Sequence, residues 1–173
     1  MSYNKKSESF NNIKRAFCDE AAGHVRYMLM SENAEKDGKH DLARLYRQLS
    51  QEELGHARIW YGEEGHNADS FLKESVSGES TEATATYPGY AAKAELEGYE
   101  RLADRFLANG KAEAHHHRLL MQYMEGTKED GGHGEKEDCV WRCTVCGYRH
   151  IGTTPPERCP LCDYNRTAYT MEI

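Results

Sequence analysis

"KAEAHHHRLL", residues 111 to 120, places three consecutive histidines two positions after Glu113. Successive residues of a helix are turned by about 100°, so at most one of the three can share a face with Glu113. His116, three residues on, is that one, and an acidic residue and an imidazole on one face are two ligands for one metal ion. The same pattern recurs in "EELGH" (52 to 56), as Glu53 and His56. Gly38 to Glu53 and Gly98 to Glu113 both span 15 residues, so two stretches of the chain read as copies offset by 60. A repeat of this kind is hard to obtain by chance.

Outward from these motifs, apolar residues recur at helical spacing in 42–60 and 102–124, and Gly38 and Gly98 stand where helix C-caps belong. The spacing predicts four helices over roughly 6–37, 39–63, 77–97 and 99–125, with 65–78 as a connection. Two E-x-x-H helices and two further carboxylate helices make up the ligand set of a di-iron four-helix bundle. On the first helix Glu20 is the candidate, with Asp19 competing. On the third, Glu79 and Glu82 lie three apart and share a face. Tyr27 and Tyr87 correspond under the offset of 60, but Glu20 and Glu79 only under 59, so one extra residue lies between Glu79 and Tyr87. Pro88 lacks an amide donor and clashes with the carbonyl of Thr84, which predicts a kink or a π-bulge there.

The tail reads differently. Residues 127–138, "TKEDGGHGEKED", are glycine-rich and charged, a linker. Beyond it Cys143, Cys146, Cys159 and Cys162 form C-x2-C-x12-C-x2-C in a segment too short to fold without a metal. Paired knuckles in a chain with no secretory signal imply a tetrahedral metal site rather than disulfides. Iron and zinc both satisfy that spacing. A formal charge of -7 argues against nucleic-acid binding, and no apolar run reaches the roughly 20 residues of a membrane span, so a cytoplasmic location is expected.

In combination, "AFCDEAAGHVRY", "EELGH", "GESTEATATYP", "KAEAHH", "WRCTVCGY" and "CPLC" make the chain similar to the rubrerythrins, over nearly its whole length. The resemblance implies a mainly α fold: a ferritin-like di-iron four-helix bundle over 1–126, the linker 127–138, and a small rubredoxin-like metal-bound β and loop domain over 139–173. It implies Glu53 and Glu113 as residues shared by two non-haem irons and Glu20 and Glu79 as terminal ligands. His116 would bind the iron held by Glu79, and Glu82 and His56 would exchange at the other iron. Tyr27 and Tyr87 would donate hydrogen bonds to ligand carboxylates, and the four cysteines would hold a third iron, or zinc. The connection between the second and third helices is shorter than in some members, which leaves pairing of the hairpins open, within a chain or between chains.

The activity so implied is reduction of hydrogen peroxide to water in oxidative-stress defence, by a homodimer. Electrons would come from NAD(P)H through a rubredoxin reductase or similar donor and the cysteine-bound iron. The alternative is a ferroxidase-type, iron-oxidising ferritin-like protein, and a third reading is a zinc-clipped interaction protein.

Overall fold

The computed structural model describes residues 3–65, 67–126 and 139–172. The chain folds as two compact units, Met1–Ala68 and Asp69–Ile173. The linker expected at 127–138 lies outside the described residues.

The first unit is a helical hairpin of α1 (Glu8–Lys36) and α2 (His40–Glu64). Ser7 caps α1, its side-chain oxygen accepting from the amide of Phe10 at 3.1 Å. The turn closes with Gly38 at φ +72° and the amide of Lys39 bonded to the carbonyl of Ala34 at 2.8 Å. That is a Schellman arrangement, which needs a left-handed residue.

The second unit repeats the hairpin. Gly98 sits at φ +79°, and the amide of Tyr99 bonds the carbonyl of Ala94, again at 2.8 Å. Its second arm is α5 (Glu100–Glu125). The first arm is interrupted: α3 (Ala68–Thr81) passes into a π-helical turn over Glu82–Thr86, followed by α4 (Tyr87–Leu96). This is the extra residue that the offsets demanded, placed just ahead of Pro88. The third helix also begins nine residues earlier than the expected 77. Ser-Gly within it is a weak stop, since glycine costs a helix only about 1 kcal/mol relative to alanine.

The repeat extends to the packing. Ser31, Ala34, Ala43 and Ser50 are buried in the first hairpin, and Ala91, Ala94, Ala103 and Gly110, each 60 residues on, in the second. Small residues bring the two arms close. The bulkier apolar residues Val25, Leu29, Leu45 and Ile59 of the first hairpin and Leu102, Leu107 and Leu119 of the second stay exposed.

The cysteine domain is a three-stranded antiparallel sheet in the order β2–β1–β3, of β1 (Cys139–Cys143), β2 (Arg149–Gly152) and β3 (Tyr169–Glu172). Trp141 pairs with His150 and Cys143 with Tyr169. Cys143, Cys159 and Tyr169 form its buried core, packed by Trp141, Tyr148 and Leu161. Among the described residues, no helix is long and apolar enough to cross a membrane.

Candidate metal centres

Among the described residues, three groups of side chains converge closely enough to hold a metal ion, each with its candidate ligand atoms within 4.8 Å of one another. Glu20, Glu53 and His56 lie in the first hairpin, Glu79, Glu113 and His116 in the second, and the four cysteines in the tail.

In the first cluster, Nδ1 of His56 is 3.2 Å from Glu53 and 3.5 Å from Glu20. The three-residue step along α2 brings Glu53 and His56 together, and Glu20 meets them from α1. The hydrogen bond shared with Glu53 raises the Glu20 carboxyl, while the same contact holds Glu53 down. Glu53, first among its neighbours, raises His56 as well. The backbone of α1 passes close by: a Cβ added at Gly23 would meet the Glu53 carboxyl carbon at 3.4 Å. Gly23 thus leaves room for the carboxylate, at one of the two positions that correspond to Glu82 in the repeat.

The second cluster repeats the geometry more deeply. Nδ1 of His116 is 2.8 Å from Glu113 and 3.4 Å from Glu79. Burial raises the Glu113 carboxyl, and Glu79 beside it adds to the rise. Oε2 of Glu79 is buried and has no hydrogen-bond partner. A buried carboxylate oxygen without a donor is costly in a finished protein, and a cation is what would satisfy it. Oxygen and imidazole donors suit iron, so the donor set and the orphaned oxygen both fit the metal that the sequence implies.

Not every expected residue joins these clusters. Glu82 opens the π turn, is exposed, and lies outside both groups of three. Tyr87 is nearer the site: burial raises its hydroxyl, and the charges of Glu113 and Glu82 raise it further. Its counterpart Tyr27 stacks on Tyr46 with ring centroids 5.9 Å apart, and among the described residues it makes no hydrogen bond to a carboxylate.

Among the residues beside the clusters, His115 is only 6% exposed. His117 is half-buried and donates from Nδ1 to the carbonyl of Val76 at 3.0 Å, tying α5 to α3. Cys18, two residues before Glu20, is exposed. His24 bonds Ser50, its Nδ1 being 2.8 Å from the Ser50 carbonyl, and so joins α1 to α2.

The cysteine site is built from two similar knuckles. The amide of Cys143 bonds the carbonyl of Tyr148 at 2.8 Å, and that of Cys159 the carbonyl of Tyr164 at 2.7 Å. Each turn contains a left-handed residue after its second cysteine, Gly147 at φ +75° and Asp163 at φ +62°. The sulfurs of Cys143 and Cys162 are 3.7 Å apart, and those of Cys146 and Cys159 3.6 Å. Metal–sulfur bonds of about 2.3 Å give tetrahedron edges of about 3.8 Å, so the four thiols are arranged to close on one ion. Burial raises Cys146 and Cys162. Burial acts on Cys159 too, but the amides of Cys162 and Leu161 outweigh it and hold this thiol at about 7.

The family model for rubrerythrin matches residues 11–63 and 70–140, and that for the rubredoxin-like domain of rubrerythrin matches 141–170. The rubrerythrin of Nitratidesulfovibrio vulgaris is 31% identical over 182 residues, covering 96% of this chain and 95% of its own. That of Porphyromonas gingivalis is 27% identical, covering 94% and 93%. Among solved structures, fully reduced, all-ferrous nigerythrin aligns with 99% of this chain and 90% of its own, at 24% identity and a TM-score of 0.40.

Proposed function

We propose, from the chain's membership of the rubrerythrin family, that it is a non-haem iron peroxidase. The reaction is H2O2 + 2e− + 2H+ → 2H2O, with the electrons drawn from NAD(P)H by a separate rubredoxin reductase or similar donor. The observation that carries the reading is the pair of Glu–Glu–His clusters at repeat-related positions, on the same chain as a four-thiol site.

Glu20, Glu53 and His56 would hold one iron, Glu79, Glu113 and His116 a second, and the four cysteines a third. When bound, the two carboxylate-held ions supply two electrons to one peroxide, and the cysteine-held ion returns them singly. By the family resemblance Glu53 and Glu113 would be the carboxylates shared between the ions. Glu82 and His56 would be alternative ligands of one ion, although Glu82 lies outside both clusters. Tyr87, its hydroxyl held protonated, donates a hydrogen bond that orients a ligand carboxylate.

The apolar residues left open on both hairpins support a homodimer. A ferritin-like bundle also needs one long crossover. Only three residues separate α2 from α3, a reach of about 10 Å, whereas α2 is about 37 Å long. That short reach supports reading the homodimer as an exchange of hairpins between two copies.

The test uses the full chain loaded with iron, supplied with NADPH, rubredoxin reductase and peroxide. One nucleotide oxidised per peroxide is expected. Consumption of ferrous iron and oxygen without peroxide turnover would favour the iron-oxidising reading instead.

A further inference from the structure

His115 lies next to a ligand and yet faces away from the cluster. Arg149, the first residue of β2, donates from Nη1 to Nδ1 of His115 at 2.8 Å. Arg118, one turn along α5, reaches the same nitrogen at 3.0 Å. Arg149 Nη1 also lies 3.5 Å from Nε2 of His115, so two guanidinium groups hold one imidazole in place. The second nitrogen of the Arg149 fork pairs with Glu172 on β3, which Arg142 on β1 also meets at 3.3 Å. One guanidinium thereby joins the sheet of the cysteine domain to α5, through a fork that stays charged and has fixed geometry.

The consequence of this contact lies one residue further along the helix. His116 presents Nδ1 to Glu113 and Glu79, and its other nitrogen, Nε2, is turned to the cysteine domain: a Cβ added at Gly147 would sit 3.6 Å from it. Gly147 directly follows Cys146. The turn that carries a sulfur of one metal site thus rests on a ligand of another. A second contact between α5 and this domain, Arg101 with Asp163 at 3.5 Å, is exposed on both sides and contributes little.

We propose that His115 and Arg149 form a latch that docks the cysteine domain on α5, with the Cys146–Gly147 turn seated on Nε2 of His116. Arg118 and Glu172 hold the two halves of the latch in position. His115 and Arg149 are positioning residues, since neither touches peroxide nor an expected metal. Their purpose, electron delivery over a short distance, rests on the peroxidase reading.

The experiment uses full-length, iron-loaded protein in which all sites have been reduced. It compares the parent with Arg149→Ala, Arg149→Lys, His115→Ala and the double alanine variant. After rapid mixing with peroxide, return of the ferric thiolate band reports loss of one electron from the cysteine iron. Hydrogen exchange of amides 115–118 and 147–150 reports docking independently of turnover. Each alanine variant is expected to slow the band's return by about tenfold, the amount that loss of one hydrogen bond to a charged group removes from an equilibrium. Both amide segments should exchange faster. The double variant should be no slower than either single one, because the two residues act as a unit, and lysine should restore part of the rate. Unchanged band return and unchanged exchange in Arg149→Ala would overturn the latch, as would additive losses in the double variant. If the parent's thiolate band never returns with peroxide, the peroxidase reading fails, while the exchange data still decide whether the latch exists.

Discussion

Replacing Glu113 by glutamine should move stability in opposite directions with and without metal. Glu113 and Glu79 offer ligand oxygens within 4.8 Å, and the Glu113 side chain is only 13% exposed. Two ionised carboxylates at that separation repel by about 3 kcal/mol at an effective dielectric of about 20. Taking up a proton limits this cost, and relaxation removes part of it, leaving about 1 kcal/mol. Glutamine has the same shape without the charge, and its amide can donate to the orphaned oxygen of Glu79, which contributes about 1 kcal/mol more. The metal-free variant should therefore gain about 2 kcal/mol, or about 4 to 8 °C in melting temperature for a chain of this size. On loading, the parent gains about 2.7 kcal/mol at a metal concentration of 100 times its dissociation constant, and the variant, short of a charged ligand, much less. Calorimetry of chelator-treated and iron-loaded samples of both proteins tests the crossover. If the metal-free glutamine variant melts no higher than the parent, or gains as much on loading, the reasoning is wrong.

Other perturbations separate the parts. Glu53→Ala should lose the carboxylate-bound iron and keep the thiolate bands, whereas Glu52→Ala should keep both, because Glu52 is exposed and bonds Gln48 at 2.8 Å; iron analysis with visible spectra decides. Gly110→Val should destabilise by about 1 to 3 kcal/mol, since even a first carbon would meet Tyr87 Cβ at 3.3 Å and the carbonyl of Ala83 at 3.6 Å; an unchanged thermal melt would show that α5 and the π turn are not packed so closely. Zinc added to the metal-free cysteine site should release more than one proton per ion at neutral pH, because buried Cys146 and Cys162 hold their protons there. Affinity should accordingly fall as pH falls, which indicator titrations at several pH values would measure.

The helical hairpins and their Glu–Glu–His clusters were legible because one physical rule governs both. A period of 3.6 residues places Glu53 with His56 and Glu113 with His116, and the 60-residue offset carries that rule through the buried positions from Ser31 and Ala91 to Ser50 and Gly110. The mismatch between offsets of 59 and 60 foretold the π turn at Glu82–Thr86, since an inserted residue within a helix needs a wider turn. The start of α3 was misjudged because Ser-Gly is loop chemistry only when packing allows it. The role of His115 could not be read, because its partner Arg149 is 34 residues away in sequence and no local period joins them.

Iron content and Mössbauer spectra of the oxidised full-length protein bear most directly on the claim that two Glu–Glu–His clusters and one four-thiol site work together. The expected result is about three irons per chain, one with the tetrahedral thiolate signature and two magnetically coupled through shared carboxylates. Carboxylate-bound iron that is magnetically isolated, each ion confined to its own cluster, would contradict the account.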